Sequence, residues 1–154
     1  MSVKARFVHT NLVARDWKRL AAFYERVFGC VRVPPERNLS GEWLERATRI
    51  SGAQIQGIHL RLPGSGNEKG PTLEIFQYNH AQPSQEPALN RPGFAHIAFA
   101  VEDVAAATDA VIATGGSVVG DHVTVEIPAA GIITFVYAAD PEGNVIELQQ
   151  WAPS

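Results

Sequence analysis

The chain has 154 residues and a mass of 16.7 kDa, is 45% hydrophobic and 19% charged, and carries a net charge of −3. That size buries one ordinary core without staples, and an acidic balance excludes nucleic acid as the default partner because phosphate neutralisation needs clustered Lys and Arg. No apolar run approaches the roughly 18 residues of a membrane span, and Met1 to Arg15 lacks the apolar segment of a secretory leader. A soluble, cytoplasmic protein without a membrane partner is therefore expected. Cys30 is the single cysteine and reads as a packing residue.

In chain order, Phe7 to Val13 suits a strand, and Asp16 is placed to cap the helix that follows. Leu20, Phe23, Tyr24, Val27 and Phe28 recur at helical spacing, and Gly29 stands where a left-handed C-cap is wanted. Pro34 to Gly52 is the least regular stretch, with a short helix expected over Gly41 to Ala47. Gln56 to Leu62 alternates as a strand, with Ile58, Leu60 and Leu62 on one face and His59 and Arg61 on the other. Pro63-Gly64-Ser65-Gly66-Asn67 leads through Gly70 to a strand over Thr72 to Tyr78. Because no helix follows that glycine-rich loop, it is a hairpin loop and no phosphate cradle. Asn79 to Gly93 contains Pro83, Pro87 and Pro92 and reads as a linker. Asp103 starts an Ala-rich helix, Val104 to Thr114, that ends at Gly115-Gly116. Strands over Ile132 to Ala138 and Val145 to Trp151 flank the turn Asp140-Pro141-Glu142-Gly143-Asn144.

These elements repeat. Phe7-Val8-His9 recurs as Phe94-Ala95-His96, 87 residues on, and at that offset Asp16 meets Asp103, Gly29 meets Gly116 and Val31 meets Val118. Leu73-Glu74-Ile75 lies over Ile146-Glu147-Leu148 at an offset of 73, so the first copy carries about fourteen extra residues in its middle. One domain over 4–152 is expected, with modules at 4–79 and 93–152 and a linker at 80–92. Charge divides along the same line. All thirteen Lys and Arg fall between Lys4 and Arg91, beside eight acids, whereas Pro92 onward has eight acids and no base. An anionic substrate would be held by the first half.

The repeat pairs His9 with His96 and Glu74 with Glu147, the residue types that bind divalent metals. His9 shares a strand face with Phe7 and Asn11, and Glu147 shares one with Gln149, away from Ile146 and Leu148. A carboxylate in the middle of a half-buried strand is costly unless paired or metal-bound, and an ion of charge +2 would neutralise both glutamates. Modules related by an approximate two-fold would bring the four side chains to one point. His59, His80 and His122 have no repeat partners and read as surface or outer residues.

The sequence resembles the vicinal oxygen chelate superfamily, which includes glyoxalase I, methylmalonyl-CoA epimerase, extradiol dioxygenases and the fosfomycin and bleomycin resistance proteins. The resemblance rests on Val8-His9-Thr10, Asp16 to Gly29, Thr72-Leu73-Glu74, Gly93-Phe94-Ala95-His96-Ile97, and Asp140 to Asn144 followed by Val145-Ile146-Glu147-Leu148. It implies an α+β fold of two tandem βαβββ modules forming a half-barrel, commonly in a homodimer. It also implies His9, Glu74, His96 and Glu147 as ligands of one divalent ion: Zn, Ni or Co first, then Mn or Fe.

The order His, Glu, His, Glu resembles that of bacterial glyoxalase I. What this implies is a lyase or isomerase, such as a lactoylglutathione lyase, acting on a small molecule that chelates the ion through two oxygens. The ion would hold both oxygens of an enediolate, with Glu147, and Glu74 as its counterpart, moving a proton between adjacent carbons. The second module lacks the basic residues by which glyoxalase I grips glutathione carboxylates, so Arg15, Arg37, Arg46, Arg49 or Arg61 would have to supply that grip. Trp43, Phe76, Tyr78 and Trp151 read either as the wall of an apolar substrate pocket or as ordinary packing. The alternatives are an acyl-CoA epimerase, with Glu45 or Glu42 as its second base, an Fe(II) dioxygenase, and a resistance protein that sequesters a small molecule.

Overall fold

The computed structural model describes residues 2–66 and 68–152; the expected loop residue Asn67 lies outside them. The chain divides into two compact units, Met1–Pro83 and Ser84–Ser154. Each is a βαβββ module, which makes the fold α+β as the sequence predicts.

In the first unit the order is β1 (His9–Val13), α1 (Trp17–Phe28), β2 (Val31–Ser40), α2 (Glu42–Thr48), β3 (Gln54–Arg61) and β4 (Thr72–Tyr78). The sheet runs β1-β4-β3-β2, with the first and last strands as parallel neighbours and the other pairs antiparallel. Asp16 caps α1 by accepting from the Arg19 N–H at 3.0 Å, and Gly29 ends it at φ 66°, where a side chain would be strained. The apolar face of α1 buries Leu20, Ala21, Phe23 and Tyr24 on β3 and β4, where Ile58, Leu60, Leu73 and Ile75 are closed to solvent. The alternate residues of those strands, His59, Glu74 and Phe76, take the opposite face and are only partly buried, with the His59 and Glu74 side chains largely covered.

The second unit has β5 (His96–Ala100), α3 (Val104–Ala113), β6 (Ser117–Val118), β7 (Val123–Ile127), β8 (Gly131–Ala139) and β9 (Val145–Ala152). β5 pairs parallel with β9, β9 antiparallel with β8, and both β6 and β7 lie on the far edge of β8. Asp103 accepts from the Ala106 N–H at 3.0 Å, repeating the Asp16 cap. The turn after β8 is held by Asp140, whose carboxylate accepts from the Glu142 and Asn144 backbones and the Asn144 amide.

Two segments differ from expectation. Val31–Ser40 is a ten-residue strand that the sequence hides, because Pro34 and Pro35 remove two donors and the register against β3 breaks between Val33 and Arg37. The strand β7 escapes the sequence reading as well; in the second unit the edge strand is interrupted at the same place, between β6 and β7. The expected short helix is present as α2, within the extra residues of the first copy. It seats Leu44 on Ala53 and Ile55, with Leu39, Phe76 and Tyr78 packed around them. Where α2 stands, the second unit makes only a short turn between β7 and β8.

Candidate metal centre

Parallel pairing of the outer strands sets the first unit's polar cluster. The β1–β4 register puts Asn11 beside Glu74, and the β3–β4 register puts His59 beside it from the other side. His9 opens β1 on the same face, its Nε2 3.5 Å from Glu74 Oε1. His59 Nε2 lies 2.8 Å from Glu74 Oε2, and the Asn11 amide donates to Glu74 Oε1 at 3.0 Å. His59 Nδ1 is 3.0 Å from Thr72 Oγ1. The His9 and His59 rings stand edge to face at 5.5 Å, and Phe76 closes the other side of His59 at 6.2 Å. Burial holds the His59 imidazole below its ordinary pKa, with Glu74 opposing that shift and the charges of Arg37 and His9 adding to it.

The second unit repeats half of this arrangement. His96 Nε2 is 3.0 Å from Glu147 Oε2, and Glu147 lies between buried Ile146 and Leu148 with its own side chain largely covered. At the register position of His59 stands Tyr137, paired with Glu147 and 5.2 Å from the His96 ring. At the position of Asn11 stands Ala98. Next along the strands, the pair Gly57 and Phe76 of the first unit becomes Phe135 and Gln149 in the second. The aromatic ring has changed strands. A Cβ on Gly57 would come within 2.7 Å of the Phe76 ring, so the glycine is what lets that ring lie over β3.

The structure therefore brings His9 to Glu74 and His96 to Glu147, each pair within its own unit. His59 belongs to the first cluster, where it is a partner of Glu74. The signal for it was present: His59 alternates against Ile58 and Leu60 as Glu74 does against Leu73 and Ile75, so the two share a face once β3 pairs with β4. The contacts of His59, and the placing of Asn11 and Tyr137 beside the glutamates, needed the register itself.

Of the expected substrate contacts, Phe76 lies against His59, and Tyr78 packs with Leu44 and Ile55. Arg37 pairs with Gly57 on the edge of the same sheet and turns its guanidinium onto the Pro35 carbonyl. Arg61 donates to the Glu68 carbonyl at 3.2 Å and lines a cavity of about 280 Å³ beside the Pro63–Gly66 loop. Arg46 lines a second cavity of about 430 Å³ on α2 with Trp43, Ala47 and Arg49. Glu45 is half-buried on α2 and makes no side-chain hydrogen bond or ion pair among the described residues. His80 is exposed after β4, and His122 lies 3.2 Å from the hydroxyl of Thr108 on α3.

One donor atom each from His9, His59 and Glu74 lies within 4.8 Å of the others. Two imidazoles and a carboxylate suit Zn(II), Ni(II), Co(II), Mn(II) or Fe(II), so the residues present fit a divalent ion.

A duplicated βαβββ module with a His on the first strand and a Glu on the last defines the class of protein. The chain belongs to the Glyoxalase/Bleomycin resistance protein/Dioxygenase superfamily, whose family model matches residues 6–148. It is 28% identical over 145 residues to a probable lactoylglutathione lyase of Vibrio parahaemolyticus serotype O3:K6, covering 94% of this chain and 90% of that one. In fold it resembles a glyoxalase family protein from Bacillus cereus, with a TM-score of 0.78 at 17% identity over 97% and 96% of the two chains. It also resembles the fosfomycin resistance protein FosX of Listeria monocytogenes, solved with Mn(II) and sulfate, with a TM-score of 0.56 at 14% identity over 98% and 95%. Among the described residues, no helix is long and apolar enough to cross a membrane.

Proposed function

We propose that the protein is a metal-dependent lyase or isomerase of the glyoxalase I kind, moving a proton between adjacent carbons of a small molecule with vicinal oxygens. The observation that carries this is the His and Glu pair at equivalent strand positions of both units, 3.5 Å apart in one and 3.0 Å in the other. On this reading His9, Glu74, His96 and Glu147 hold one divalent ion, Zn, Ni or Co before Mn or Fe. When bound, the ion supplies Lewis-acid stabilisation of the negative charge that develops on the substrate oxygens.

The two glutamates divide the work. Glu74 is tied by Asn11, His59 and His9, so its carboxylate is fixed. Glu147 has His96 as its only hydrogen-bond or ion-pair partner among the described residues. A carboxylate with a free oxygen is the better proton carrier, so Glu147 accepts the proton from one carbon and returns it to the neighbour. Phe76 and Tyr78 give the first unit's face an apolar wall, and the first unit's cations hold an anionic end of the substrate. Arg37 stands beside the metal face, and Arg46 lies on the open side of α2. The same reading takes the protein to be a cytoplasmic homodimer.

The test is the hemithioacetal of methylglyoxal and glutathione. Protein loaded with Ni(II), Co(II) or Zn(II) turns it over, and Glu147→Gln lowers kcat by about 10²- to 10⁴-fold, as expected for loss of a general base. Failure of the wild type with all three ions overturns the lyase assignment. Solvent deuterium exchange into a chiral acyl thioester would replace it with an epimerase, and oxygen uptake with Fe(II) with a dioxygenase. Small-molecule binding that is indifferent to chelators would replace it with a sequestering protein.

A further inference from the structure

The two units carry the same His and Glu pair, yet the residue that shares the glutamate's register differs: His59 beside Glu74, Tyr137 beside Glu147. A tyrosine there offers a phenol hydroxyl, a hydrogen-bonding group and not a usual ligand of these ions. An imidazole is a metal ligand.

We propose that His59 is a direct metal ligand, so that the first unit seats an ion with three donors, His9, His59 and Glu74. This deepens the reading above, and rests on it only for the presence of an ion on the His and Glu face. The donor spacing suits a shared ion. One ligand atom each from His9, His59 and Glu74 lies within 4.8 Å of the others, close enough for a single ion to reach all three.

The surroundings of His59 are those of a ligand. A metal-bound imidazole places its second nitrogen against an acceptor, which fixes the tautomer and the ring. Thr72 Oγ1 sits 3.0 Å from His59 Nδ1 and can accept its proton, leaving Nε2 bare on the Glu74 side. Phe76 holds the ring from the opposite flank and Gly57 makes room for Phe76. Asn11 donates to Glu74 Oε1 and steadies the carboxylate at the centre of the cluster. The second unit has none of these supports at the equivalent places, which hold Val145, Gln149, Phe135 and Ala98.

The experiment uses the full chain with Zn(II) in competition with a chromophoric chelator, and with ¹¹³Cd(II) on ¹⁵N-histidine-labelled protein. His59→Gln is expected to weaken Zn(II) binding by at least about tenfold, and Thr72→Val by about tenfold through the lost outer contact. His96→Gln is expected to weaken it less than His59→Gln does. In the wild type, which needs no variant to fold, the His59 Nε2 resonance should show one-bond coupling to ¹¹³Cd. Unchanged affinity in His59→Gln together with no His59 coupling overturns the proposal and makes His59 a hydrogen-bond partner of Glu74. If His96→Gln abolishes binding while His59→Gln retains it, the three-donor seat fails and the four-ligand site stands. If His59→Gln loses the ion and His96→Gln keeps it unchanged, the seat stands and the four-ligand site fails. Absence of Zn(II) and Cd(II) binding by the wild type overturns both.

Discussion

The two modules have the same scaffold and different furnishings. Both begin with a His-bearing strand, cap their helix with an Asp and end on a Glu-bearing strand beside the first. What differs lies on the open face of each sheet. In the first unit Glu74 has three polar neighbours and α2 packs over one end of the face through Leu44. In the second, His96 is the one hydrogen-bond or ion-pair partner of Glu147 among the described residues, and Trp151, the counterpart of Tyr78, is left 45% exposed. A duplicated fold thus retains its packing rules, because every helix-facing residue must still be apolar. The open face, free of that demand, can differ between the modules in the polar groups that surround its glutamate.

The widest separation between the modules should come from their glutamates. Glu147→Gln is expected to cut turnover by about 10²- to 10⁴-fold while metal content by elemental analysis stays near that of the wild type. Glu74→Gln should instead lose the ion, with activity restored in part by excess metal. Equal behaviour of the two variants would erase the distinction between fixed and mobile carboxylate.

Next in size is Gly57→Ala, whose Cβ would meet the Ile75 carbonyl as well as Phe76. A loss of about 1–3 kcal/mol by urea denaturation is expected from overpacking, whereas Phe135→Ala, the counterpart change, loses stability through an emptied space. The helix caps should show the modules at their most alike: Asp16→Ala and Asp103→Ala are each expected to cost about 1 kcal/mol. A large inequality would mean that the helices are not equally needed.

The smallest effect at neutral pH is expected at Cys30, whose counterpart at the 87-residue offset is Ser117. Burial, and then the charge of Glu25, push the Cys30 thiol up from an ordinary 9.0 to about 11. An acid whose folded pKa is raised keeps its proton when the unfolded chain has already lost it. Stability should therefore fall as pH rises from about 9 to about 11, and Cys30→Ser should remove that part of the slope.

Much of this was legible in the chain. The caps Asp16 and Asp103, the C-cap Gly29, the Asp140 turn and the faces of Ile58, Leu60, Ile146 and Leu148 follow from local chemistry and period-two alternation, which need no knowledge of distant partners. The β2 strand was hidden because Pro34 and Pro35 speak against a ladder, and an edge strand tolerates them where the register breaks. His59 has no equivalent in the second copy, so repetition does not single it out.

The sequence by itself determined the duplication, the α+β class and the four repeated His and Glu positions, since repetition, periodicity and capping are written in residue order. Only the tertiary structure decided who stands beside each glutamate. Strand register is a long-range property: pairing β3 with β4 sets His59 and Thr72 around the first carboxylate, and pairing β8 with β9 sets Tyr137 beside the second. A one-residue slip in either would turn those side chains to the helix face, and it is the burial of Leu60 and Leu73 in one unit, and of Val136 and Leu148 in the other, that forbids the slip.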